Sequence, residues 1–405
     1  MPAAPSPSTA FRRRHFPGVT AKEWNDWRWQ HRHRIQHAEE LAALLTLSVD
    51  ESAALRRLQG RLPLAITPYY AALLHPSDPS QGLRRTVVPA GAEFVTTPGE
   101  LRDPLDEDAH SPVPGLVHRY PDRALLLVTN TCATYCRYCT RSRMVGASEE
   151  SQRITTSRLE GALAHIAATP AIRDVLISGG DPLVLSDARL DWLLGRLDAM
   201  PHVRFVRLGT KIPFVMPQRI TAGLARVLRR HRPIWMSLHI NHPAEITPES
   251  ARACHRLADA GVPLGAQTVL LRGVNDDLEI LRELLHGLLE IRVKPYYLLQ
   301  CDPIPGSAHF RTPVHRGLEL LAGLQGHTSG YAVPAFVLDA PQGGGKIRLV
   351  PEHIVGREGG DLLFTNYEGR LFRYPDAGGT LGEKPTATPA DAQPAAWRLT
   401  GAWPI

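Results

Sequence analysis

Three cysteines fall within eight residues, Cys132, Cys136 and Cys139, spaced CxxxCxxC. Three thiolates on one loop are one short of a closed structural zinc site, which takes four ligands. They suit a 4Fe–4S cluster that leaves one iron open to a substrate or cosubstrate. Zinc with a distant fourth ligand such as His118 is the competing reading of the same residues. Farther along, Ser178-Gly179-Gly180-Asp181-Pro182 joins two glycines to a carboxylate. Glycines admit close backbone approach to a ligand, and a carboxylate suits an ammonium. The third motif is Asp339-Ala-Pro-Gln-Gly-Gly-Gly-Lys346. It is not a phosphate loop. GxxxxGK followed by Ser or Thr would need Gly at 340 and Ser or Thr at 347, where Ala340 and Ile347 stand. A lysine presented by a flexible glycine loop suits imine formation, as with pyridoxal phosphate.

Such residues must be gathered by a scaffold. From about residue 124, short apolar runs alternate with helical patterns. Strands are expected at 124–130, 174–178, 203–208, 234–239, 264–271, 294–300 and 333–338. Helices are expected at 156–168, 188–200, 218–230, 248–260, 276–291 and 314–325. Alternation of this kind predicts an α/β fold with a parallel sheet. The first strand runs into the cysteines rather than into GxGxxG, which favours a partial or full β/α barrel over a doubly wound sheet. Barrel chemistry sits at the C-terminal ends of strands. Cys132, Gly179–Asp181, His239–His242, Asp302 and Asp339 all fall there.

Three regions are expected: a mainly helical stretch over 1–110, a barrel core over 111–350, and a small segment over 351–405. Trp24, Trp27, Trp29, Ile35 and Leu41 predict one amphipathic packing helix, with Thr20 as its N-cap. Leu362–Tyr374 reads as a hairpin around Tyr367-Glu368-Gly369, and 377–396 as a mobile tail.

Composition narrows the class. The 405 residues carry 46 Lys+Arg against 40 Asp+Glu, a net charge of +6, and are 43% hydrophobic. That hydrophobic share excludes a disordered chain. No apolar run approaches the ~18–20 residues of a membrane span. The first residues lack the apolar core of a secretory signal, so a cytoplasmic protein is expected. Five cysteines, an odd count, make no disulfide framework; Cys254 and Cys301 read as core residues. The basic, Trp-containing stretch 27–37 keeps a remote alternative open, a basic RNA-binding or RNA-modifying protein.

Ten motifs occur in order: HRYPDR (His118–Arg123), CxxxCxxCTR (Cys132–Arg141), SGGDPL, PQRIT (Pro217–Thr221), HINHPAEIT, GVPLGAQTVLLRGVND, KPYYLLQCD, HFRTPV, GHTSGY and DAPQGGGK. Together they resemble the lysine 2,3-aminomutase family of radical S-adenosylmethionine enzymes, from about Glu23 to about Arg370. The resemblance implies an isomerase that moves the α-amino group of lysine from C2 to C3, giving β-lysine. It implies a 4Fe–4S cluster on Cys132, Cys136 and Cys139, with S-adenosyl-L-methionine at the open iron. Gly179, Gly180, Asp181, His239 and Gln267 would lie near the cosubstrates. Lys346 would be the catalytic lysine that carries pyridoxal phosphate, with Arg119 and Arg123 beside that cofactor. Arg141 would pair with the substrate carboxylate, and Asp302 and Asp339 with its distal ammonium. Two aspartates there disfavour glutamate and leave arginine open, giving β-arginine. A one-electron reductant such as flavodoxin or ferredoxin and a homo-oligomer are implied, with neither nucleic acid nor membrane as partner.

The chain also departs from the family pattern. No cysteine follows Cys301, and Asp277 stands where some members carry a zinc-binding cysteine, so no zinc is expected. Lys211 replaces a common arginine, keeping the charge but not the fork. Pro303 and Pro305 stiffen the loop after Asp302.

Overall fold

A computed structural model describes residues 6–58, 61–146, 154–231, 233–358 and 361–375. Each of the seven expected parallel strands is present. They are β2 (Arg123–Leu127), β3 (Asp174–Ser178), β4 (Phe205–Thr210), β5 (Ile234–His239), β6 (Leu264–Leu270), β7 (Lys294–Gln300) and β8 (Ala335–Ala340). They pair in sequence order, every neighbour parallel. Antiparallel strands β1 (Leu116–Tyr120) and β9 (Gly345–Leu349) extend the sheet at its two ends. The order runs from β1 to β9 without closing, so the architecture is a partial β/α barrel.

A helix links each consecutive parallel pair: Thr156–Ala167, Asp187–Asp198, Ala222–Arg230, Pro248–Asp259, Leu278–Glu290 and Val314–Leu324. Local chemistry explains where they start. Thr155, Ser186, Thr221, Thr247 and Asp277 each accept a backbone N–H of the first turn. Asp277 is thus a helix cap in this chain. Three of these helices bury one repeated pattern, as in Leu190, Leu193, Leu194 and Leu197. That spacing draws one apolar stripe along the face that meets the sheet.

Residues 1–351 form one compact unit. One apolar cluster joins Ile35, Leu41, Tyr69 and Tyr70 to β2–β6 and the helices beside them, and a second one packs the last two barrel helices against β7 and β8. The single helix expected over Trp24–Leu41 is instead broken up, into Ala21–Trp24, Trp27–Arg32 and Ala38–Ala42. Thr20 and Glu23 form a capping box on the first, and Asp26 caps the second. A cap placed two residues after Trp24 restarts the chain rather than continuing it. Residues 86–115 are mostly turns and loop rather than helix.

A second unit begins at Glu352 and is described to Pro375. In it, β10 (Ile354–Glu358), β11 (Asp361–Thr365) and β12 (Leu371–Pro375) form an antiparallel sheet. The expected hairpin is β11–β12; β10 was not expected. The segment 377–396 lies outside the described residues. Among the described residues, no helix is long and apolar enough to cross a membrane.

His231 ties two barrel helices together, bonding Asp198 through Nδ1 at 2.5 Å and Asp191 through Nε2 at 2.7 Å. Burial opposes its charge, but the two aspartates outweigh it and hold the imidazole above its ordinary value. A raised value means the clamp is complete below about pH 6.5 and fades as pH rises through the raised value. Stability should therefore fall across that window by up to about 1 kcal/mol. Urea titrations at several pH values should show this for the wild type and not for His231→Gln.

Candidate active site

The C-terminal ends of the strands surround a cavity of about 190 Å³. Its lining includes Cys132, Cys136, Cys139, Arg141, Gly179, Gly180, Asp181, His239, Asp302 and Asp339. Residues far apart in sequence are thus brought together. Lys346 joins them through Asp339, its Nζ lying 2.5 Å from Oδ2. Arg119, Arg123 and Gln267 stand outside that lining, Gln267 beside His239 in the β5–β6 register.

The cysteine loop follows β2 and is held by the N-terminal region. Arg34 donates to the Cys132 carbonyl at 2.6 Å, and Tyr135 N–H to the Ala65 carbonyl at 2.9 Å. Arg137, inside the motif, is buried and bonds both oxygens of buried Glu93, at 2.5–3.0 Å. Its Nη1 donates to the carbonyls of Leu62 and Pro63 at 3.0 and 3.1 Å. The sequence reading missed this anchor.

Gly179 and Gly180 press backbone against backbone. A Cβ on Gly179 would collide with the Thr129 carbonyl, and one on Gly180 with that of Thr131. Gly179 also has φ of +129°, which side chains rarely adopt. The glycines thus admit the segment leading to Cys132. Asp181 is fully engaged. It accepts from Thr210 Oγ1 at 2.7 and 2.9 Å, Lys211 N at 2.7 Å and Leu183 N at 3.0 Å. Its carboxylate ties the loop after β3 to the end of β4, which the motif alone did not reveal.

Lys211 is a buried cation at the cavity, paired with buried Glu245. Glu245 also accepts from Tyr70 Oη at 2.9 Å and from Asn241 N at 2.8 Å. Burial, then Lys211, Arg141 and Lys346, push His239 down to about 4, so its imidazole is neutral. Burial raises Asp302 to about 6, partly offset by the Thr140 hydroxyl, which donates at 2.6 Å. Asp339 raises it further, while Lys346 and Arg141 act the other way.

One expectation needs correction, and one residue has a partner that the sequence did not show. Lys346 is not on a loose glycine loop but on β9, paired with Asp339 on β8. The turn between them puts Gln342 and Gly343 at φ of 55° and 71°, so these residues make a tight hairpin. Arg141 does not stand free: Glu107 takes its Nε and Nη2, the shortest contact being 2.7 Å. Only the acid-rich run 103–108 could have hinted at this partner.

A family model described as lysine-2,3-aminomutase matches residues 321–393, and the radical SAM superfamily model matches 126–285. The chain is 48% identical to L-lysine 2,3-aminomutase of Clostridium subterminale, over 89% of this chain and 86% of that protein. It is 47% identical to that of Bacillus subtilis, over 88% and 76%. It is 39% identical to glutamate 2,3-aminomutase of Clostridioides difficile, over 88% and 84%. The chain belongs to the lysine 2,3-aminomutase family. It is an isomerase of the radical SAM type, with a 4Fe–4S cluster, S-adenosylmethionine and pyridoxal phosphate as cofactors.

The residues fit these groups. Burial raises all three thiols, Cys139 to about 11, and neighbouring cysteines add to it at Cys132 and Cys139. Three thiolates so placed need cationic iron to balance them. Among the described residues, no three His, Cys, Asp or Glu converge closely enough to chelate a single ion. A cluster does not need that, since it takes one thiolate per iron. Near Lys346, Arg119 and Arg123 flank the Tyr120 ring at 5.0 and 4.0 Å. The Arg119 Nε is buried without a partner. An anionic phosphate ester suits that pair.

Removing either partner of the Arg137–Glu93 pair leaves a buried charge uncompensated, at about 3–5 kcal/mol. Urea denaturation of Glu93→Ala should show that loss, and bound iron per chain after reconstitution should fall with it. A Glu93→Ala protein with wild-type stability and iron content would contradict the anchor.

Proposed function

We propose that this enzyme moves the α-amino group of L-lysine from C2 to C3, giving β-lysine. The observation that carries the substrate choice is Asp302 and Asp339 facing one cavity. Burial, and after it the charge of Asp339, raise Asp302, so a cation bound there offsets a cost that an anionic side chain would increase. Glutamate would meet like charges.

The bound cofactors supply the hydrogen-abstracting radical and the electron sink through which nitrogen changes carbon. The chain supplies position. Asp302 and Asp339 would accept from the distal ammonium, and Arg141 would donate to the carboxylate. Holding both ends fixes which C–H faces the radical source. Thr140 orients Asp302 through its 2.6 Å bond. Lys346 is the amine that holds pyridoxal phosphate, and Arg119 and Arg123 would receive its phosphate. Cys132, Cys136 and Cys139 hold the cluster, with Gly179 and Gly180 shaping the wall beside it. Val269 and Leu299 give the cavity apolar wall that keeps water from radicals. A one-electron donor such as flavodoxin or ferredoxin must reach the cluster.

Anaerobic assays with dithionite, S-adenosylmethionine and pyridoxal phosphate should give β-lysine from lysine. Arginine and glutamate are run beside it. Rearrangement of either one, with none of lysine, would overturn the substrate assignment. The pH dependence follows from Asp302. Its ionised form dominates above about 6, and only that form attracts the ammonium. KM for lysine should rise about tenfold per unit as pH drops below that value. Asp302→Asn should flatten this profile and raise KM at pH 8 by roughly thirtyfold or more.

A further inference from the structure

We infer that Glu107 is a positioning residue that sets which edge of the Arg141 guanidinium is offered to the substrate carboxylate. The inference rests on the lysine reading above. Arginine carries five N–H donors in one plane. Glu107 takes the lateral edge. Nε donates to Oε1 at 3.0 Å and to Oε2 at 3.1 Å, and Nη2 donates to Oε1 at 2.7 Å. The remaining N–H bonds lie on Nη1 and the far side of Nη2. They form the terminal edge of the same fork, which can hold a second carboxylate bidentately. Arg141 lines the cavity, and Glu107 is buried outside that lining.

Glu107 is itself held firmly. Its segment is fastened to both loops that carry the distal site. Leu101 N donates to the Pro303 carbonyl at 2.8 Å, next to Asp302. Gln342 N donates to the Pro104 carbonyl at 3.0 Å, in the turn before Lys346. Glu100 pairs with Arg311 at 2.8 Å. Arg143 adds a second cation, 3.2 Å from Glu107 and also from Asp103 and Asp108. Burial works against ionisation of Glu107, but Arg141 and Arg143 outweigh it and keep the carboxylate charged. One segment thus links the carboxylate end of the cavity to its ammonium end, and should fix the distance between them.

The test compares wild type, Glu107→Gln and Glu107→Asp as reconstituted holoenzymes. KM and kcat are measured with lysine, and Ki with lysinamide, which lacks the carboxylate. Glu107→Gln should raise KM about tenfold, change kcat less than about threefold, and leave the lysinamide Ki unchanged. Glu107→Asp should lie between. A KM within twofold of wild type, a fall in KM, or equal weakening of lysine and lysinamide would overturn the inference. The last outcome is what a merely structural residue would give. If Glu107→Gln does not fold, Glu107→Asp carries the same comparison, with at least a threefold KM rise expected. A wild type inactive on lysine defeats the substrate reading instead. The variants are then compared on the amino acid that it does rearrange, against that acid's amide.

Discussion

Asp302 and Asp339 bring two carboxylates into one half-enclosed cavity, where burial and then their mutual repulsion make charge on Asp302 costly, and the rest of the site is arranged around that cost. Thr140 donates to one, and the Lys346 ammonium pairs with the other. Neither contact offsets the burial, and Asp302 sits near 6 rather than in the usual carboxylate range. A second cation at this point completes the site. The barrel explains how the two carboxylates meet: adjacent parallel strands β7 and β8 end side by side.

The cluster loop depends on a different constraint. Its backbone must sit close to the loop after β3, and the glycine pair makes room for it. Arg137 then fixes the loop from behind, using Glu93 and two carbonyls of the N-terminal region. The first hundred residues therefore serve the chemistry as scaffold. Of the stretch that suggested nucleic acid, Trp29 is buried and Trp27 is covered by Arg219 at 4.7 Å, while Arg28, Arg32 and His33 are exposed.

Local signals were legible in the sequence. Seven strands and six helices follow from apolar runs, leucine spacing and Ser/Thr/Asp caps, all of which act within a few residues. Signals that depend on a distant partner were not legible. Strand β9 exists because Lys346 pairs across a hairpin with Asp339, and three glycines hid that strand. β1 carries His118 and Arg119, so its pattern is weak. Glu93 and Arg137 lie 44 residues apart, and Glu107 and Arg141 lie 34 apart. No periodicity marks such pairs. The cavity residues themselves were found by motif, yet the motifs were silent on their second partners, as with Asp181, whose carboxylate ties its own loop to the end of β4.

The central claim is that this cavity is built for an amino acid with a cation at its far end. The most direct measurement is freeze-quenched electron paramagnetic resonance of the holoenzyme turning over lysine labelled with carbon-13 at C2. The account predicts an organic radical whose signal broadens with the label, placing the unpaired electron on the lysine carbon skeleton. No such radical with lysine, and a substrate radical with glutamate under the same conditions, would contradict it.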